Sequence, residues 1–282
     1  MKKIITLVII AVVLIACVIW KSISYDTHHI TIRSETIKSN KIDTVLNNTS
    51  IIYFSDLHFG TYTKENDLDI LVETINKLNG DVVIFGGDLI DNYTGSQITQ
   101  DQKQYLISKL KSINAKQDKY YVLGDHDLYS DETREEINTM LSLAGFTSLV
   151  NTNYRIYNKT NSYFNIVGLD SLLKGTPNTT EAYKDIDSSK FTLSFIHCPD
   201  LYNELPLEST DYVIAGHSHG GQIYIPLIDN IYRSKGCEKF FHGKHKKNAT
   251  TLDISNGIGL TNYSIRFNSN AEIVYYKLES TN

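Results

Sequence analysis

Cysteine is scarce in this 282-residue sequence: Cys17, Cys198 and Cys237 are the three, and none sits in a C-x-x-C pair. That excludes a zinc ribbon and a thioredoxin-type redox motif. Cys198 and Cys237 can pair only in an oxidising compartment, and two separate thiols are the plainer expectation. Positive charge is short as well. Beyond the first 21 residues, 24 Lys and Arg face 32 Asp and Glu, a net charge of about −8. A body of that sign is a poor polyanion binder, so no nucleic acid is expected as a stable partner. With only four prolines, no Pro- or Gly-rich linker divides the chain. Nothing repeats at a solenoid period and no low-complexity tract occurs. The length allows one large domain with a sizeable core.

What the sequence does have, at its start, is an apolar run. Met1-Lys2-Lys3 precedes residues 4–20, in which Thr6 and Cys17 are the only weakly polar members. Seventeen residues at ~1.5 Å each just cross a hydrocarbon core of roughly 30 Å. Lys21 can snorkel and Trp20 suits the interface. The leading lysines place the N-terminus in the cytoplasm and the body outside, by the positive-inside tendency. A cleaved secretory signal competes, but no Ala-x-Ala site follows. The alternative is a lipoprotein anchored at Cys17, because Leu14-Ile15-Ala16-Cys17 resembles a bacterial lipoprotein box. Against it, Val18-Ile19-Trp20 continue the apolar run. An uncleaved single-pass signal anchor is therefore expected, with a tether and first strands behind it.

The chemistry starts at residues 51–58, Ile-Ile-Tyr-Phe-Ser-Asp-Leu-His. β-Branched and aromatic residues predict a strand ending in Asp56 and His58. Residues two apart on a strand share a face, so the two side chains converge at its mouth. Helical spacing follows over 64–79, ended by Asn79-Gly80. A buried strand at 81–85 delivers Gly86-Gly87-Asp88, and the two glycines permit a tight turn there. Next come a helix at 102–113, a strand at 119–123 delivering Asp125-His126-Asp127, and a helix at 131–144 capped by Asp131. Strands at 154–157 and 163–169 and a short helix near 180–186 lead to the strand 191–196, which delivers His197. The strand 211–215 delivers His217-Ser218-His219. Strands alternating with helices, then a strand-rich half, predict an α/β sandwich.

Five strand ends thus finish in Asp or His. In open α/β sheets, ligands gather at the carboxyl ends of the strands. Singly, His197 reads as a satisfied core residue and Asp88 as a helix cap; five such ends together are hard to obtain from structural need. Oxygen and nitrogen ligands without thiolate suit Mn, Fe or Zn. Seven candidate ligands are too many for one four-coordinate ion, and two metals sharing a carboxylate are the economical arrangement.

The segments Asp56-Leu57-His58, Gly87-Asp88-Leu89-Ile90-Asp91, Gly124-Asp125-His126-Asp127, His197 and Gly216-His217-Ser218-His219 resemble the calcineurin-like metallophosphoesterases. Gly220-Gly221-Gln222-Ile223 and Ser255-Asn256-Gly257-Ile258-Gly259 look like the membrane-associated bacterial branch of that family. The resemblance implies an α/β sandwich of two central mixed β-sheets flanked by helices, preceded by an N-terminal transmembrane helix. It divides the chain into an anchor (1–25), a tether and first strands (26–49) and a phosphoesterase domain (50–282). It implies two divalent or trivalent ions (Mn, Fe or Zn) and a bridging hydroxide. Asp56, His58 and His219 would hold the first ion, Asp125, His197 and His217 the second, and Asp88 would bridge them. His126 would contact the phosphate and protonate the leaving oxygen, with Asp127 orienting its ring. Asp91 would stand behind the ligands.

One departure is visible: the family's third motif has Asn where this chain has Asp125. The extra carboxylate is expected to weaken the second metal's Lewis acidity and to raise the pKa of its water. Arg233, Lys235, Lys239, Lys244, Lys246 and Lys247 cluster in a loop-like region, read either as a contact for anionic headgroups or as a solvated loop. The loops 93–104 and 170–179 are expected to rim the pocket, with Tyr93 stacking on substrate. The resemblance points to a phosphodiesterase acting on a phosphoester near the membrane, lipid- or envelope-linked. The alternatives are a phosphomonoesterase or nucleotide-lipid pyrophosphatase on the same core, or a catalytically weak metal-binding envelope protein.

Overall fold

The computed structural model describes residues 1–91, 98–158, 161–225, 229–230 and 233–282, with the backbone alone at 229–230. Tyr93 lies outside the described residues, as does part of its loop. Helix α1 (Lys2–Trp20) has no buried residue and continues into a π-helical turn, Lys21–Tyr25. Lys2–Tyr25 is long and apolar enough to cross a membrane.

The body is a sandwich of two six-stranded mixed sheets. The first sheet contains β1 (Thr31–Ser39), β2 (Ser50–Phe54), β3 (Val82–Phe85), β4 (Lys119–Tyr121), β5 (Thr147–Ser148) and β14 (Glu272–Ser280). Its order is β1-β14-β2-β3-β4-β5, and only the β14–β2 pair is antiparallel. The second contains β6 (Thr152–Tyr157), β7 (Tyr163–Gly168), β8 (Thr192–Ile196), β9 (Tyr212–Ala215), β12 (Gly243–Lys247) and β13 (Thr250–Ile254). Its order is β12-β13-β9-β8-β7-β6, with a parallel centre and antiparallel pairs at both edges. A separate two-stranded ribbon joins β10 (Tyr224–Ile225) and β11 (Asp229–Asn230).

The period-2 alternation of β2 builds two core layers at once. Ile51 and Tyr53 face the sandwich interior with Val82, Ile84, Phe195 and Ile214, whereas Ile52 and Phe54 face the helices. Those helices are α2 (Glu65–Leu78), α3 (Gln100–Lys111) and α4 (Asp131–Leu143). The Ser130 hydroxyl accepts from Thr133 N and caps α4, so the cap lies one residue before the expected Asp131. Short α5 (Thr179–Ala182) and the 3-10 segment Pro199–Glu204 cover the other sheet. Strand β1 pairs along its whole length with β14, so residues 31–39 belong to the sheet. Both sheets have their central strands parallel, and the carboxyl ends of β2, β3, β4, β8 and β9 therefore open on a common edge.

Candidate metal centre

Each strand hands its chemistry to a tight turn. The loop after β2 runs beside the loop after β3: Asp56 N donates to the Gly87 carbonyl at 2.8 Å and His58 N to the Asp88 carbonyl at 3.1 Å. Five of the seven expected ligands, Asp56, His58, Asp88, His217 and His219, have φ between 45° and 66°. Left-handed backbone costs a non-glycine residue about 1 kcal/mol or more, and such strain collects at functional sites. Neighbouring glycines make room for these turns. A Cβ on Gly124 would lie 2.0 Å from Asp88 Oδ1, and one on Gly216 would lie 2.6 Å from Asp56 Oδ2.

The seven side chains meet. Asp56, His58 and His219 form one group and Asp88, Asp125, His197 and His217 another; within each, the potential ligand atoms lie within 4.8 Å of one another. Asp88 joins them: its Oδ2 is 3.6 Å from His58 Nε2 and 3.2 Å from His197 Nε2. Asp125 Oδ1 is 3.2 Å from His197 Nε2 and 3.0 Å from His217 Nδ1. These donors fit a pair of cations. Both ring nitrogens of His58 and Nε2 of His219 are buried without a hydrogen-bond partner. A neutral imidazole has one lone pair, and a buried lone pair without a donor is costly unless a cation takes its place.

Backbone carbonyls turn the rings. A carbonyl only accepts, so the ring nitrogen facing it carries the proton. His197 Nδ1 donates to Gly86 at 2.8 Å, His217 Nε2 to Lys235 at 2.7 Å and His219 Nδ1 to Gly259 at 3.2 Å. In each case the other nitrogen is left facing the cluster, as for a metal-binding histidine. Asp56 is held by the Ser55 hydroxyl at 2.5 Å and by His217 N at 2.9 Å. Of these supports only the glycine pair and the 255–259 segment were visible in the sequence. Ser55 and Lys235 gave no sign, because the one is an ordinary strand residue and the other acts through its backbone.

The electrostatics divide the cluster. Burial pushes His58 down to about 4 and His219 well below the usual imidazole range, so both are neutral with a lone pair to offer. Burial alone would do the same to His197 and His217, but Asp88 and Asp125 beside the first and Asp125 beside the second raise them. Those carboxylates are the ones a cation would sit among. His126 lies at the rim, its side chain one-fifth exposed. Burial opposes its charge, yet Asp88, Asp91 and Asp125 together lift it to about 9.

Asp127 and Asp91 differ in what they face. Asp127 is fully buried, and its oxygens accept from the backbone N–H groups of Asp88, Leu89 and Gly124 at 2.8, 2.8 and 2.9 Å. Three amides engage both oxygens, so Asp127 clasps the ends of β3 and β4 together. The carboxylate facing His126 Nδ1 is Asp91, at 3.4 Å. The basic stretch also differs from a plain loop, since Lys244, Lys246 and Lys247 lie in edge strand β12. Lysine on an edge strand discourages pairing with another chain. Cys198 and Cys237 are buried free thiols.

The calcineurin-like phosphoesterase profile matches residues 49–221. The chain is 29% identical over 261 residues to the uncharacterized metallophosphoesterase YkuE of Bacillus subtilis, covering 91% of this chain and 88% of that one. It is 31% identical over 235 residues to the uncharacterized metallophosphoesterase Cj0846 of Campylobacter jejuni, covering 81% of this chain and 59% of the relative. A transmembrane protein with metallophosphoesterase domain from Bos taurus is 24% identical over 250 residues, 83% of this chain and 54% of its own length. The matched span runs from the start of β2 to just beyond His219 and so encloses all the strand ends just described. This chain belongs to the calcineurin-like phosphoesterase family and is a metallophosphoesterase, a hydrolase of phosphoester bonds.

Proposed function

We propose that the protein is a dinuclear phosphodiesterase working beside a membrane, with Asp56, His58 and His219 holding one ion, Asp125, His197 and His217 the other, and Asp88 shared. The observation that carries this reading is the position of Asp88 Oδ2, within 3.6 Å of a histidine nitrogen from each group. Cations bound there would supply Lewis acidity toward a phosphoryl oxygen and acidify a water. The chain's own part is to hold and move a proton. His126, at the exposed rim and favoured in its charged form, keeps a proton for the leaving oxygen, and Asp91 steadies the ring through Nδ1. The His126 backbone N donates to Asp88 Oδ1 at 2.9 Å, which ties the acid to the shared carboxylate.

The apolar helix supports a single-pass anchor, and Lys2 and Lys3 ahead of it favour a cytoplasmic N-terminus with the body outside. A phosphoester linked to a lipid or to the envelope is the substrate class such an anchor suits. A second reading is a weakly catalytic metal-binding envelope protein, favoured by the carboxylate at Asp125 in contact with both His197 and His217. Elemental analysis with a panel of phosphodiesters, phosphomonoesters and pyrophosphates tests both. Two ions with preferential diester hydrolysis are expected; two ions without turnover in any metal form would establish the second reading.

A further inference from the structure

Arg266 is the largest fully buried side chain among the described residues, and it lies outside every motif of the centre. Burying a guanidinium costs several kcal/mol unless its donors are satisfied, so its surroundings show what it is for. All its side-chain hydrogen bonds run to backbone carbonyls. Nη1 donates to Ser269 at 2.6 Å, and Nη2 to Asn256 at 3.0 Å, Gly257 at 3.2 Å and Gly259 at 2.5 Å. Nε has no partner.

The segment gathered on this fork is the one behind the first pocket. The Gly259 carbonyl that Arg266 grips also accepts from His219 Nδ1, and Gly259 N donates to the Asp56 carbonyl at 2.7 Å. Gly257 packs directly on Asp56, since a Cβ there would come within 2.8 Å of it. The other face of the same arginine is tied to the anchor: its backbone N donates to the Ser22 carbonyl at 3.0 Å. Among the described residues no comparable cation backs the second pocket, where single carbonyls of Gly86 and Lys235 hold the rings.

We propose that Arg266 is the positioning residue of the first metal pocket: by drawing the carbonyls of Asn256, Gly257 and Gly259 onto one guanidinium, it fixes the acceptor that keeps His219 Nε2 turned toward Asp56 and His58. The proposal rests on the dinuclear reading above. Guanidinium geometry matters to it, because a planar fork can hold several acceptors in one arrangement, whereas an ammonium is a point charge.

The test titrates the metal-stripped full chain, in detergent, with Mn2+ alone, following uptake and the spin-coupled EPR signal of an ion pair. The wild type is expected to bind two ions. Arg266→Gln, with an unchanged circular dichroism spectrum, is expected to fill one pocket normally and the other about 10- to 100-fold more weakly, the usual effect of losing a group that supports a ligand. Its EPR signal is then that of a lone ion at concentrations that couple the wild type. Arg266→Lys is expected to recover only part of the lost affinity. Wild-type affinity at both pockets in either folded variant overturns the proposal and leaves the dinuclear reading intact. A wild type that binds fewer than two ions overturns the dinuclear reading itself. Should both substitutions cost the fold, nitrogen NMR of the metal-free wild type decides: His219 protonated on Nδ1 is expected, and protonation on Nε2 refutes the role.

Discussion

The two proposed pockets meet at Asp88 but are built differently. In the first, Asp56, His58 and His219 are all but closed off from solvent, at 0–3% exposure. Burial dominates there, raising the Asp56 carboxyl and lowering both imidazoles. In the second, Asp125 is partly open and its contacts with His197 and His217 lower its pKa against the pull of burial. One pocket keeps its donors dry and neutral around a carboxylate that burial disfavours as an anion; the other balances its charge internally and opens on one side. An ion in the first pocket would therefore relieve more unmet polarity, whereas the second lies where a substrate could approach.

The largest effect is expected from emptying both pockets. Chelation should abolish phosphoester hydrolysis, and Mn2+ at about 100 times its dissociation constant should add about 2.7 kcal/mol per site. For a chain of this size that is roughly 5–11 °C in Tm for one site and about 11–22 °C with both filled, read by calorimetry with and without metal. Next is Asp88→Asn, which weakens the oxygen between the pockets. It should cost about 10³-fold in kcat/KM and reduce uptake below two ions per chain. Loss of a single ion with full activity would show that Asp88 is not shared.

The rim gives a sharper test of which acid serves His126. Asp91→Asn should lower kcat about 10-fold and pull the alkaline limb of the rate profile to lower pH. The sign follows from the proton: in the proposed mechanism His126 works protonated, its pKa is raised, and activity should fall as pH climbs through it. The charge of bound cations opposes that rise, so the limb lies at or below about 9. Asp127→Asn should instead destabilise the fold by about 1–3 kcal/mol in urea unfolding, because an amide cannot accept from all three backbone donors. If the limb moves with Asp127 and not Asp91, the assignment reverses. The smallest change is expected from Asp125→Asn. It should alter second-pocket affinity or turnover a few-fold, seen by metal analysis and initial rates, and an unchanged pair of values would remove any role for the extra carboxylate.

The site was largely legible in the chain because parallel strands oblige their products to appear together. Asp56, Asp88, Asp125, His197 and His217 each follow a short apolar run, and that pattern needs no tertiary knowledge to notice. The helices were equally plain, and their boundaries slipped by only a few residues, with Ser130 rather than Asp131 closing α4. The orientation of side chains was a different matter. Asp127 follows His126 directly, yet its oxygens accept from three amides in two separate turns. Arg266 gave no sign at all, since its partners are main-chain oxygens that every residue possesses.

The order of strands and breakers, and the types of group at each strand's end, determined the sandwich and the ligand chemistry, since both follow from local pattern. Only the packed molecule decided which nitrogen of each ring faces inward, which acid stands by His126 and what lies behind His219. Those choices depend on carbonyls and amides brought together from distant turns, and a hydrogen bond to the backbone leaves no mark in the sequence.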